Sequence, residues 1–238
     1  MSRNIIKTCT AYLLFLYSFA YAVSAYSANN SIYLTQAGGS SALTMNIDQI
    51  GGSNVIGTSN ARVSLTGTGM TVDIDQIGDS NVIAATVAQG NSTSFTLSST
   101  GDSNTQTLAL GATGDVQNTD FDFAATGDSN VLVYTQGDAA TATAANADFD
   151  ISGTSNNLNV KCNVVGCVNS WEISGDGNDI DTVQANNADH SITASITGSS
   201  NNIDIDQSST GGSVSDIVDI VAATGSGTID IDQCSSGC

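Results

Sequence analysis

The stretch Val72–Ile83, VDIDQIGDSNVI, decides the fold. Val72, Ile74 and Gln76 alternate with Asp73, Asp75 and Ile77, a Gly-Asp-Ser-Asn cluster follows, and Val82 and Ile83 open the next run. Alternation of period two broken by such a cluster predicts a half-buried strand, a turn and a second half-buried strand. Worn copies recur along the chain, anchored on Gly51, Gly78, Gly101, Gly127, Gly153, Gly175, Gly198 and Gly225, with spacings of 27, 23, 26, 26, 22, 23 and 27 residues. A repeat of roughly 25 residues is in the range of solenoid proteins.

Four residues before the anchor stand Ile47, Ile74, Leu97, Phe123, Phe149, Trp171 and Ala194; two before it, Gln49, Gln76, Ser99, Ala125, Ile151, Ile173 and Ile196; five after it, Ile56, Ile83, Gln106, Leu132, Leu158, Ile180 and Ile203. Side chains alternate between the faces of a strand, so these positions on both sides of the turn share one interior. Phe123 and Trp171 therefore read as core, not as a platform for sugar rings. Three residues after the anchor, Asn54, Asn81, Asn104, Asn130, Asn156, Asn178 and Asn201 form an unbroken column. Two compatible readings fit them: asparagine tolerates left-handed backbone angles in a turn, or stacked amides bond to one another as a ladder. Gly225 is the exception, and a turn shorter by one residue there turns Ile229, Ile231 and Gln233 inward.

Half a repeat further on lie second turn clusters of varying length, among them Gly38-Gly39, Gly67-Thr68-Gly69, Gly137-Asp138 and Gly211-Gly212, which account for the uneven spacing. Each unit is strand, arc, strand, arc, and it cannot bury its own apolar face. Its inward side chains contribute about 1.5–3 kcal/mol each when buried, against about 1–2 kcal/mol of ordering entropy per residue. The units must stack. The expected fold is all-β: a β-solenoid of two strands per rung, with two in-register parallel sheets and about eight rungs, spanning 32–238. The absence of proline agrees, since nearly every backbone N–H must enter a ladder.

Three before the anchor stand Asp48, Asp75, Ser98, Ala124, Asp150, Glu172 and Ser195, which face outward. Stacking sets Asp48 beside Asp75 and Asp150 beside Glu172 at a strand separation of about 4.8 Å. Like charges that close repel by about 1 kcal/mol in water, and small residues interrupt the column. A solvated acidic face is the simple reading; calcium held along the aspartates is the sharper one.

Arg3 and Lys7, an apolar run from Ala11 to Ala20, and Ala20-Tyr21-Ala22 read as a secretory signal peptide over 1–22, with a second candidate cut after Ala25. A short polar segment, 23–31, follows. The apolar run is too short to span a bilayer. Processing leaves Arg62 and Lys161 against 23 acidic residues, a net charge of −21. Such a chain is not expected to seek nucleic acid or anionic membranes. Its composition also resembles that of disordered chains, but disordered chains rarely keep their apolar residues in phase. Four cysteines remain, Cys162, Cys167, Cys234 and Cys238, which allow three pairings in an oxidising compartment. Local bridges, Cys162 to Cys167 and Cys234 to Cys238, are expected; a zinc site lacks both C-x-x-C spacing and a nearby histidine.

No catalytic constellation emerges, no cofactor is implied, and an enzyme is not expected. His190, the single histidine, falls in an Asn/Asp-rich turn region and reads as a solvent-exposed loop residue. Asp-x-Asp pairs such as Asp73/Asp75, Asp204/Asp206 and Asp230/Asp232 suggest glycosidase carboxylates, but they recur as outward strand positions.

The repeat resembles that of curlins, the subunits of bacterial curli fibres, whose motif runs S-x5-Q-x-G-x-x-N-x-A-x3-Q. Gln49-x-Gly51-x-x-Asn54 and Gln76-x-Gly78-x-x-Asn81 reproduce its centre, and Gln136, Gln184 and Gln207 match its closing glutamine. The opening serine is not kept, the alanine is usually Ile or Leu, and the first glutamine is missing from the third repeat onward. The resemblance implies a secreted subunit that polymerises into amyloid fibres of the extracellular matrix, passing through an outer-membrane channel and starting from a nucleator. The ends of the chain carry no amphipathic helix, which favours head-to-tail addition of copies. The alternative is a secreted monomeric β-solenoid whose flat face binds a surface as an adhesin.

Overall fold

The computed structural model describes residues 20–26, 30–31, 40–51, 53–57, 63–78, 81–89, 92–101, 104–110, 117–137, 143–186, 190–209 and 216–235. Every regular element among them is a strand. Two sheets run the length of the molecule, and every pairing is parallel. The first sheet stacks Ala20–Tyr26, Thr44–Ile50, Thr71–Ile77, Ser94–Thr100, Gln117–Thr126, Thr143–Ser152, Val165–Ser174, Ser191–Gly198 and Ile217–Thr224 in that order. The second takes the strand that follows each of these, ending with Asn157–Cys162, Asp179–Asn186, Asn202–Ser209 and Thr228–Ser235. This is the β-solenoid expected from the repeat, and its registers are those expected: Ile47 pairs with Ile74, Asp48 with Asp75, and Asp150 with Glu172.

Nine strands stack in the first sheet where eight rungs were expected. The extra rung is N-terminal to Ile32: Ala20–Tyr26 pairs along its whole length with Thr44–Ile50, and Asn30–Ser31 pairs with Asn54–Val55. It escapes a glycine-based count because Tyr26 pairs with Ile50, and the residue after Tyr26 is Ser27 where Gly51 follows Ile50. The last rung also needs correcting. Gly198 pairs with Thr224, so Gly225 is not the anchor but falls one place later. The inward phase nonetheless holds, with Ile203 paired to Ile229, Ile205 to Ile231 and Gln207 to Gln233.

The core lies between the sheets and is built from the expected positions, with Ile47, Ile74, Leu97, Phe123, Phe149, Trp171, Ile180 and Ile203 all buried. Its middle rungs carry a cluster of aromatic rings. Phe121 from the first sheet stacks on Tyr134 from the second with centroids 4.4 Å apart, and Phe149 meets Tyr134 edge-on at 5.7 Å. Such contacts favour the observed offset and T-shaped geometries. Burial raises the Tyr134 phenol well above its ordinary range, and its hydroxyl donates to Gln136 Oε1 at 2.6 Å.

Candidate functional site

What distinguishes the interior is a set of polar columns that run from rung to rung. The asparagines are buried, and for most of the stack neither sequence reading describes them. The left-handed residue is the one before the asparagine: Ser129, Ser155 and Ser200 have φ near 60°, and Gly177 takes the same place. The amides, moreover, bond mainly to backbone. Asn104 Nδ2 donates to the Gly101 carbonyl at 2.6 Å, and Asn130 Nδ2 to that of Gly127 at 2.8 Å. From Asn104 to Asn201 each Oδ1 accepts the backbone N–H of the asparagine one rung earlier, as in Asn104 N–H to Asn130 Oδ1 at 3.1 Å and Asn130 N–H to Asn156 Oδ1 at 2.8 Å. Only at the first pair does one amide bond another, Asn54 Nδ2 to Asn81 Oδ1 at 2.6 Å. The asparagine therefore supplies an acceptor to a buried donor at the corner, where a left-handed residue interrupts the strand.

Beside this column runs the glycine column of Gly51, Gly78, Gly101, Gly127, Gly153, Gly175 and Gly198, all with φ between 132° and 150°. A Cβ built on Gly175 would land on the Gly153 carbonyl oxygen, so the stacking itself demands glycine there. The last rung departs at both columns: Thr224 takes the glycine place, and Gly227 the asparagine place.

Glutamines do form amide ladders, in both sheets. Gln76 Nε2 donates to Gln49 Oε1 at 2.8 Å; in the second sheet Gln207 donates to Gln184, and Gln233 to Gln207, each at 2.7 Å. Gln136 is on the same inward column, but Cys162 stands between it and Gln184. Cys162 is bonded to Cys167 as expected, with Cα atoms 6.4 Å apart, closing the arc between the two sheets. These sulfurs are therefore not available as zinc thiolates. Cys234 is also disulfide-bonded, while Cys238 lies outside the described residues.

His190 is not the exposed loop residue expected: only 1 % of its surface is accessible. It follows Cys167 in the same column, accepts the Cys167 backbone N–H at Nδ1 at 3.4 Å, and donates its backbone N–H to Asp216 Oδ1 at 3.0 Å. Its turn-like neighbours hid an inward phase that the strand pairing reveals.

The outer surface is acidic and follows the registers. Partial burial, then Asp75, then Asp48 hold the Asp73 carboxyl above the ordinary aspartate range; burial followed by Asp120, Asp148 and Asp150 does the same for Asp122. Among the described residues no three His, Cys, Asp or Glu side chains converge as a metal site would require. No helix among them is long and apolar enough to cross a membrane.

The two ends differ. Met45, Ile47 and Gln49 are buried beneath the Ala20–Tyr26 rung. At the other end Ile217–Thr224 and Thr228–Ser235 are, among the described residues, edge strands. Their inward side chains are uncovered: Ile229 is 41 % and Ile231 40 % accessible. Set against protein-family models, curated proteins and solved structures, the chain has no match.

Proposed function

We propose that the chain is a secreted structural subunit that adds copies of itself end to end, forming amyloid-like fibres of an extracellular matrix or cell surface. The observation that carries this reading is the uncovered C-terminal rung. Ile229 and Ile231 expose apolar surface that a further rung would bury, along a parallel edge that has no strand of the described residues beside it. Gln233 donates into the glutamine ladder and so presents Oε1 as its acceptor end. Head-to-tail contact of this kind does not close, and it grows a filament. The curlin resemblance supports the same reading and brings with it the expectation of a nucleator subunit and an outer-membrane channel. It also suggests a chain without enzymatic activity or cofactor.

A second reading, a monomeric surface-binding module, draws on one observation. In three successive rungs the outward face of the second sheet is uncharged, carrying Val82, then Thr105 and Thr107, then Val131, Val133 and Thr135. Time-resolved electron microscopy of the mature chain, paired with fibre diffraction, separates the two. Unbranched filaments with a meridional reflection near 4.7–4.8 Å support the fibre; monomers that persist at high concentration overturn it and favour the binding module.

A further inference from the structure

The strand Ala20–Tyr26 raises a conflict with export. Its residues cover the edge of Thr44–Ile50 one for one, from Ala20 against Thr44 to Tyr26 against Ile50. The covered strand has the burial of an internal one, with Met45 at 4 % and Ile47 at 0 % accessible. The uncovered strand at the other end of the same sheet shows the difference, since its inward Val218 and Ile220 are only partly buried. Both candidate signal-peptide cuts fall inside the covering strand: a cut after Ala22 removes three of its seven residues, and one after Ala25 removes six. A strand shortened to four residues or one retains few of the ladder bonds that hold it.

The rung is also an unsuitable platform for a further copy. Its second strand, Asn30–Ser31, is two residues long where Thr228–Ser235 has eight. Stripped of this rung, Thr44–Ile50 offers a far better fit. If Ile217–Thr224 of a second copy takes the place of Ala20–Tyr26, the internal register sets Thr44 beside Ile217, Asn46 beside Asp219, Asp48 beside Val221 and Ile50 beside Ala223. In that register no two carboxylates of the paired strands meet.

We propose that Ala20–Tyr26 is a removable cap: in the unprocessed chain it occupies the edge of Thr44–Ile50 on which the C-terminal rung of a second copy docks, and cleavage of the leader frees that edge. The inference rests on the self-assembling, exported reading above. It gives the signal sequence a second role, keeping the precursor unextended until it has crossed the membrane.

The test compares the full unprocessed chain with the same chain carrying Val23→Pro and Ser24→Pro, two consecutive prolines that remove a ladder donor in either phase of the strand. Hydrogen exchange is followed at Thr44–Ile50, with Ser191–Gly198 as the control for an intact stack. The expected result is exchange about tenfold faster or more at Thr44–Ile50 in the variant, unchanged exchange at Ser191–Gly198, and restored protection on adding a synthetic peptide of residues 20–31. Filament growth from the variant should be faster and should slow when the peptide is added. Equal protection of Thr44–Ile50 in both chains overturns the cap. Faster exchange with no change in growth overturns the docking site. If neither chain forms filaments, the self-assembly reading and the docking site fall together, and the exchange result alone decides the cap.

Discussion

The side-chain oxygen of Asn130 accepts the backbone N–H of Asn104 from the preceding rung at 3.1 Å, while its Nδ2 donates to the carbonyl of Gly127 in its own rung at 2.8 Å. One residue thus ties two rungs together at a corner. Asn130→Ala strips the Asn104 N–H of that acceptor and the Gly127 carbonyl of that donor. A buried group left without a partner costs about 1–3 kcal/mol, so denaturant unfolding should show a loss of about that size or somewhat more. Asn130→Asp keeps the acceptor but sets a carboxylate against the Gly127 carbonyl, and at neutral pH it should be the more damaging change. Unchanged midpoints for both variants would sink this account of the column.

Glycine is required by stacking at Gly175 but not at Gly225. A Cβ on Gly175 collides with the Gly153 carbonyl, whereas one on Gly225 meets the Ser199 Cβ at 3.4 Å, an ordinary contact. Gly175→Ala should lower stability by more than 3 kcal/mol, roughly the upper range for single substitutions, or abolish folding. Gly225→Ala should stay within about 1 kcal/mol. Thermal unfolding of the two proteins makes the comparison, and similar midpoints would show that the corner yields.

Neighbouring residues on opposite faces of one strand separate core from charge. Ile74 is fully buried, while Asp75 faces outward beside Asp48. Ile74→Asp buries a carboxylate and should stop both folding and assembly; Asp75→Asn relieves like-charge repulsion and should leave assembly unchanged or faster. The rate of light-scattering increase reads both, and equal rates for Ile74→Asp and the parent chain would refute the register.

Acid should stabilise the stack before it harms it. Asp73, Asp122 and Asp206 are held above the ordinary aspartate value of 3.8, in each case first by partial burial and then by neighbouring carboxylates. Their folded forms bind more protons than the unfolded chain, so the penalty they impose is full at neutral pH and fades as pH falls toward 3.8. Asp176 has the opposite sign: it accepts the Ser199 backbone N–H at 2.6 Å, and its lowered value adds stability that is lost below 3.8. Above 3.8 the Asp176 contribution is intact, so the three raised groups predict a higher thermal midpoint at about pH 4.5 than at pH 7. A midpoint that falls steadily over that range would contradict the crowding of the columns.

Reduction of Cys162–Cys167 opens a short arc, with five residues of separation between the cysteines. Chain entropy alone assigns such a bridge about 2 kcal/mol. Cys162→Gln together with Cys167→Ala removes the bridge but places an amide between Gln136 and Gln184 on the ladder column. This double variant should unfold at a higher denaturant concentration than Cys162→Ala with Cys167→Ala, and equal midpoints would deny the ladder a stabilising role.

Much of the stack was legible without coordinates because a strand has only two faces. Once Gly78 and its fellows marked the turn, period-two alternation placed Ile47, Phe123 and Trp171 inside and Asp48 and Glu172 outside. The same rule misled where the marker was absent or displaced. Ser27 stands where a glycine would have announced the first rung, and Gly225 falls one place after Thr224, the residue that pairs with Gly198. His190 was hidden by polar neighbours that signal a turn, although its column continues from Cys167.

The sequence by itself determined the period, the inward and outward sets and the parallel in-register stacking, since these follow from local alternation repeated at near-constant length. Only the tertiary structure decided where hydrogen bonds go at the corners and what covers each end. Whether Asn130 bonds another amide or the Asn104 backbone depends on the offset between neighbouring rungs, and whether Thr44–Ile50 is an edge depends on a strand more than twenty residues away in the chain. Such contacts depend on how separate segments meet in space, which no single repeat encodes.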